Sequence, residues 1–242
     1  MNTVTILRRF QVPITYRCDR VCRWCDRLIG VLPWEDEDTD ISMEDVRRAG
    51  ELLKEHKIQV ALLKVTGGEP TIHPQFVELC NELKGWVGEK GAVRISTNKA
   101  ARDPRLDSSF KSRATPGKDQ QVIKRHVPVL VSPTDLGLDT SYMFNCKMMT
   151  ACGPMFDVFG FAYCQRAGPL GRLLGIDPYK TMMTTEVIPE ICKHCPQSLT
   201  KTKSRKILEA ACNGEIEHPT KTWREALKKT PLALTKFRDR KD

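Results

Sequence analysis

The 242-residue sequence predicts an α/β fold built on a parallel sheet, and three observations carry that expectation. Val60-Ala61-Leu62-Leu63-Lys64-Val65 is almost continuously apolar, the pattern of a strand covered on both faces. Strand-like and helix-like segments alternate from Phe10 to about Val131, as they do in βα units. The segments equipped for chemistry fall at the ends of these strands, where parallel sheets gather their ligands.

In chain order, Phe10 to Thr15 reads as a short strand that delivers the chain to a group of cysteines, and Gly30 to Asp40 as an irregular connection. Ser42 offers an N-cap with Asp45 three positions on, and a helix runs from there to about His56. The strand at residues 60–65 ends in Gly67-Gly68-Glu69-Pro70. Pro74 suits a first helical turn, and Phe76, Leu79, Cys80, Leu83, Trp86 and Val87 share one helical face, which makes Cys80 a packing residue. Ala92 to Ser96 is a further strand leading into Thr97-Asn98, and Val127 to Val131 another. Between them lies a basic, Pro/Gly-punctuated region in which Lys111 to Lys118 reads as an exposed loop. Beyond about Pro133 the alternation stops. Phe156 to Phe159 and Phe161 to Tyr163 flank Gly160 as arms of a hairpin, and Ser198 to Ala211 suits a helix. A boundary near Asp139 is expected, giving a core over 1–138, a smaller domain over 139–212 and a basic C-terminal tail over 213–242.

The formal net charge is +9, concentrated in two stretches: eight Lys/Arg against three Asp from Lys99 to His126, and twelve against six acids from Leu199 to Asp242. Such stretches are solvated surface or a footprint for a polyanion. The N-terminus has no apolar signal region, and no window reaches the ~18 apolar residues of a membrane span. A cytoplasmic protein with no membrane partner is therefore expected. Ten cysteines in a reducing compartment point to metal before disulfides.

Cys18-x3-Cys22-x2-Cys25 supplies three thiolates from one loop. A structural zinc ion wants four ligands, whereas a 4Fe-4S cluster held by three cysteines keeps one iron open. This spacing, with Trp24 before the last cysteine, resembles the CxxxCxxC signature of the radical S-adenosylmethionine (SAM) superfamily. Gly67-Gly68-Glu69-Pro70 resembles the family's GGEP segment, which holds the amino group of the methionine moiety. Ser96-Thr97-Asn98 is similar to the polar strand end that lies near the adenosine ribose. The resemblance spans roughly residues 10 to 135. It implies a partial (βα) barrel, a 4Fe-4S cluster on Cys18, Cys22 and Cys25, and S-adenosylmethionine at Trp24, Gly67, Gly68, Glu69, Pro70, Ser96 and Asn98. It further implies reductive cleavage to a 5′-deoxyadenosyl radical that removes a substrate hydrogen atom, with electrons from a donor such as flavodoxin or ferredoxin. A zinc ribbon pairing Cys22-x2-Cys25 with Cys192-x2-Cys195 is the competing interpretation; it leaves Cys18 and the GGEP segment without a role.

Cys152-x7-Gly160-x3-Cys164 with Cys192-Lys193-His194-Cys195 supplies four more thiolates, enough to saturate a second cluster. The layout resembles the twitch domain, a shortened SPASM domain, although its Gly-to-Cys spacing is one residue shorter than usual in that family. The resemblance implies an auxiliary 4Fe-4S cluster on Cys152, Cys164, Cys192 and Cys195 that accepts or relays an electron. Cys146 stands as a substitute for Cys152 or an extra ligand, and a zinc knuckle is the other interpretation. His194 is expected to face solvent.

For the substrate, the basic stretches favour a nucleotide or a nucleic-acid base. A dehydrogenase or epimerase acting on an amino sugar or other small polar metabolite, and a peptide-modifying enzyme, are the alternatives. A zinc or iron–sulfur protein that binds nucleic acid without catalysis is the alternative of another class. Tyr16, Lys64, Arg94 and Asp135 lie near expected strand ends as substrate-facing candidates.

Overall fold

The computed structural model describes residues 4–20, 22, 25–34, 38–99, 103–114 and 129–241. Seven strands among them form one sheet: β1 (Thr5–Leu7), β2 (Phe10–Pro13), β3 (Ile58–Thr66), β4 (Val87–Thr97), β5 (Lys111–Ala114), β6 (Met155–Asp157) and β7 (Gly160–Ala162). Their order is β5-β4-β3-β2-β6-β7, with β1 pairing the early part of β3 ahead of β2. Every pairing is parallel except the β6–β7 hairpin. This is the mixed α/β fold that the alternation predicts, with the partial, (βα)-barrel-like sheet that the resemblance implies.

Helices α1 (Met43–Glu55) and α2 (Phe76–Lys84) connect β2 to β3 and β3 to β4. Ser42 caps α1 as expected, its Oγ accepting from Asp45 N at 3.0 Å. Val46, Leu53, Leu79, Cys80 and Leu83 from the helices pack against Phe10, Val12, Leu63, Val65 and Ile95 from the strands, all essentially inaccessible to water. Each fully buried large aliphatic or aromatic side chain contributes about 1.5–3 kcal/mol, so this interface is the main source of rigidity behind the strand ends.

Four features depart from the sequence reading. Lys111–Ala114 pairs with β4 as an edge strand instead of a loop, because backbone pairing with an otherwise open edge outweighs the residues' charge; residues 115–118 of that stretch lie outside the described residues. Of the strand expected at 127–131, Val127 and Pro128 also lie outside them. Val129, Leu130 and Val131 are buried but unpaired, and Val129 and Val131 pack against Ala211 of α6 (Lys201–Cys212). The hairpin forms where expected, yet β6 pairs with β2 (Gln11 opposite Met155), so the sheet continues across position 139. The C-terminal stretch is not a free tail. Trp223 on α7 (Lys221–Leu227) and Phe237 are both fully buried, and Phe237 sits edge-on against Phe156 and Phe161 at 4.8 and 5.9 Å. Two aromatic anchors thus override a cationic composition.

The hairpin is tied to the chain just before the cysteines by a buried polar knot. Asp157 accepts from the hydroxyls of Tyr16 and Tyr179, the latter at 2.8 Å, and from Phe159 N at 2.8 Å. Burial outweighs these donors and pushes the Asp157 carboxyl up from 3.8 to about 6. An acid whose folded pKa is raised costs nothing below the unfolded value. Its penalty grows as pH rises through the window between the two values, and is complete above the folded one. Relative to Asp157→Asn, the wild type is therefore expected to lose up to about 3 kcal/mol of stability between pH ~4 and ~6.5. Denaturant titrations across that range check it; parallel pH profiles for the two proteins would contradict the assignment.

Candidate active site

The loop carrying Cys18, Cys22 and Cys25 leaves β2 and runs flush against the loop that ends β3. Ile14 N donates to Thr66 O, Gly68 N to Thr15 O and Glu69 N to Arg17 O, at 2.9, 2.8 and 2.9 Å. A Cβ on Gly67, whose φ is +152°, would run into Thr15 O, and one on Gly68 into Arg17 O. The glycine pair is thus dictated by two backbones in direct contact.

Glu69 follows them and is wholly buried. Its Oε1 accepts from Thr71 N, Thr71 Oγ1 and Thr97 Oγ1 at 3.1, 2.7 and 2.8 Å, and its Oε2 from Asn98 N at 2.8 Å. The carboxylate therefore clamps the end of β3 to the end of β4, and its oxygens are engaged inside the protein. Asn98 then donates through Nδ2 to Asp19 Oδ1 at 3.0 Å and lies 3.8 Å from Cys18 Sγ. Its Oδ1 is buried without a partner among the described residues.

These groups surround a cavity of about 370 Å³. Cys18, Cys22 and Cys25 line it together with Gly67, Gly68 and Ser96, Thr97 and Asn98 at the strand ends. Arg20, Arg27 and Lys64 add cationic groups, and Asp26 a carboxylate. Of the other expected cofactor residues, Trp24 lies outside the described residues. Glu69 and Pro70 sit behind the lining, Pro70 opening a buried 3-10 turn, Pro70–Ile72. Of the substrate-facing candidates only Lys64 reaches the cavity. Tyr16 is buried, stacked on Trp34 at 4.3 Å and bonded to Asp157. Arg94 is not part of the lining, and Asp135 accepts from Thr222 N and Oγ1 at 2.8 and 2.7 Å, bracing α7.

The later cysteines assemble differently from the sequence reading. A second pocket is lined by Cys146, Cys164, Cys192 and Cys195. Cys146 begins α3 (Lys147–Ala151), Cys164 precedes α4 (Ala167–Leu174), and Cys192 ends α5 (Pro189–Cys192). Cys152 instead lines the first cavity. The physical reason is the short helix α3, which carries the chain from one pocket to the other. Its end is pinned by Arg9, which donates to Ala151 O, and by Gln11 Nε2, which donates to Cys152 O at 3.3 Å. The sequence left Cys146 and Cys152 open as alternatives; no spacing rule registers a helix between them. His194 turns away from the sulfurs, its Nδ1 within 2.8 and 3.0 Å of Ser132 and Thr134 hydroxyls.

Among the described residues no three His, Cys, Asp or Glu side chains converge on a single-ion site; the sulfurs line pocket walls instead. Burial pushes the Cys18 and Cys192 thiols up to about 12, and raises Cys146, Cys152 and Cys164 as well. Binding iron there means displacing protons, which a strongly Lewis-acidic metal does. Two polar atoms without a partner among the described residues suit charged or polar occupants: Asn98 Oδ1 beside the first cavity, and Arg166 Nε beside the second. The donor sets fit iron–sulfur clusters: the first pocket holds the three loop cysteines with Cys152 on its wall, and the second holds four cysteines.

A partial parallel sheet thus presents three cysteines of one loop to a cavity at its strand ends, where parallel α/β sheets gather their ligands. Residues 12–110 match the radical SAM superfamily model. A 4Fe-4S cluster and S-adenosylmethionine are that family's cofactors. No curated protein matches the chain. Among solved structures it is similar to BtrN in complex with AdoMet and 2-DOIA, at 12% identity over 88% of this chain and 89% of that one, TM-score 0.40. It is also similar to BtrN in an open conformation (9%, 86% of each chain, TM-score 0.39). A third is SuiB from Streptococcus suis bound to precursor peptide SuiA (14%, 45% and 24%, TM-score 0.32).

Replacing Glu69 by Ala leaves two hydroxyls and two amide N–H groups without their acceptor and is expected to cost about 2–4 kcal/mol. Glu69→Gln, which keeps an acceptor oxygen, is expected to cost roughly half as much. Urea denaturation of the two variants checks this, and equal stability in all three proteins would remove the clamp.

Proposed function

We propose that Cys18, Cys22 and Cys25 hold the radical SAM cluster and that Cys146, Cys164, Cys192 and Cys195 hold an auxiliary 4Fe-4S cluster. The observation that carries this is the division of the sulfurs between two neighbouring pockets, one with a polar strand-end lining and three loop cysteines, the other with four. When bound, the family's cofactors supply a 5′-deoxyadenosyl radical that takes a hydrogen atom from the substrate. The chain's own part is positional. Gly67 and Gly68 hold the cysteine loop against the end of β3, Glu69 locks β3 to β4, and Ser96 and Asn98 offer polar groups to the cofactor. The ligand sets divide near position 139, the first set before it and the second after it, so the division of labour follows the 1–138 and 139–212 segments although the sheet runs through both.

The substrate proposed is a nucleotide or nucleic-acid base. Arg20, Arg27 and Lys64 in the cavity wall suit a phosphorylated or otherwise anionic group.

Anaerobic reconstitution is expected to give about eight irons per chain and about four in a Cys18→Ala/Cys22→Ala/Cys25→Ala variant. Cys146→Ala is expected to fall to about four while Cys152→Ala stays near eight; the reverse pair of results returns the fourth ligand to Cys152. Wild type with a reductant is expected to release 5′-deoxyadenosine from S-adenosylmethionine, and none at all would favour a non-catalytic binding protein. Fluorescence anisotropy with a labelled single-stranded oligonucleotide is expected to show affinity falling steeply with salt. A flat profile would favour an amino sugar or another small polar metabolite.

A further inference from the structure

The two cysteine pockets share a wall, and a buried ion pair lies across it. Met148 lines both pockets. Beside it, Asp26, the residue after Cys25, accepts from Arg166 Nη1 at 3.2 Å and from Gln165 Nε2 at 3.1 Å. Arg166 lies two residues after Cys164, its backbone N–H directed at Cys164 Sγ at 3.4 Å. Its side chain is 9% exposed and faces the four-cysteine pocket.

A buried guanidinium needs compensation by charge and by hydrogen bonds. Asp26 satisfies one edge, but its own side chain is 35% exposed, and Arg166 Nε has no partner among the described residues. Among the other ionisable groups that act on Arg166 are the sulfurs of Cys195, Cys164, Cys25 and Cys146. A cluster with four thiolate ligands carries net negative charge, and it gains another negative charge on reduction. A fixed cation beside it stabilises the reduced form more than the oxidised one.

Resting on the two-cluster reading above, we propose that Arg166 is a positioning residue for the second cluster: it raises that cluster's reduction potential, and its pairing with Asp26 ties this setting to the loop that carries Cys25. The two partners then act in opposite directions. Removing the Arg166 charge makes the second cluster harder to reduce. Removing the Asp26 charge leaves Arg166 less compensated and makes the cluster easier to reduce.

The test is potentiometric titration followed by electron paramagnetic resonance on the reconstituted full chain, with iron counted on every sample. Arg166→Gln is expected to lower the midpoint potential of the second cluster, Arg166→Lys to stay close to wild type, and Asp26→Asn to raise it. A packing role alone predicts no such opposition of sign. About eight irons in the wild type with unmoved potentials, or with both charge-removing variants shifting the same way, overturns the proposal and leaves the two-cluster reading intact. About four irons in the wild type overturns that reading and this proposal with it. Should Arg166→Gln fail to retain iron, Arg166→Lys and Asp26→Asn decide: a midpoint retained in the first and raised in the second supports the proposal, and any other pair overturns it.

Discussion

The contact on which the site depends is the one between two stretches of main chain. Thr15 to Arg17 and Gly67 to Glu69 lie edge to edge, joined by hydrogen bonds and too close for a Cβ on either glycine. Everything that faces the first cavity is referenced to that seam. The cysteine loop begins one residue beyond it, and Glu69 begins the polar chain to Thr97 and Asn98. A loop bearing three cysteines has no intrinsic shape, and here a short parallel register at the C-terminal ends of two strands gives it one.

Glu69 also shows how a motif and a geometry assign different work to the same residue. By family likeness it belongs to the cofactor; in the fold its oxygens are occupied by Thr71, Thr97 and Asn98. The backbone of the segment remains next to the cavity through Gly67 and Gly68, so what this segment presents to the cavity is glycine main chain, with the carboxylate holding it from behind. Satisfied buried networks of this sort fix position because any departure leaves a donor without its acceptor.

Much of this was legible in the sequence. The apolar run before Gly67, the alternation from Phe10 to Asn98 and the hairpin at Gly160 depend on local pattern, and local pattern is what sequence carries. What escaped it depended on contacts distant along the chain. Nothing near Lys111 signals a strand, since its partner is β4; nothing near Phe237 signals burial, since its neighbours are Phe156 and Phe161. That Cys146 and Cys152 line different pockets turns on Arg9 and Gln11 pinning the far end of a five-residue helix. Tyr16 looked substrate-facing because it follows a strand, and only the opposing Asp157 explains why it turns inward.

The burial of Phe237 bears on how the protein comes into being. Its ring completes an aromatic cluster made with residues some eighty positions earlier, and Phe237 N donates to Val158 O at 2.8 Å. During synthesis the hairpin emerges well before its cover does. Until Phe237 emerges that face of the sheet stays open, so closure of the core waits on a segment made some eighty residues after the hairpin. Any iron delivered before then meets a looser, more accessible scaffold than the finished one.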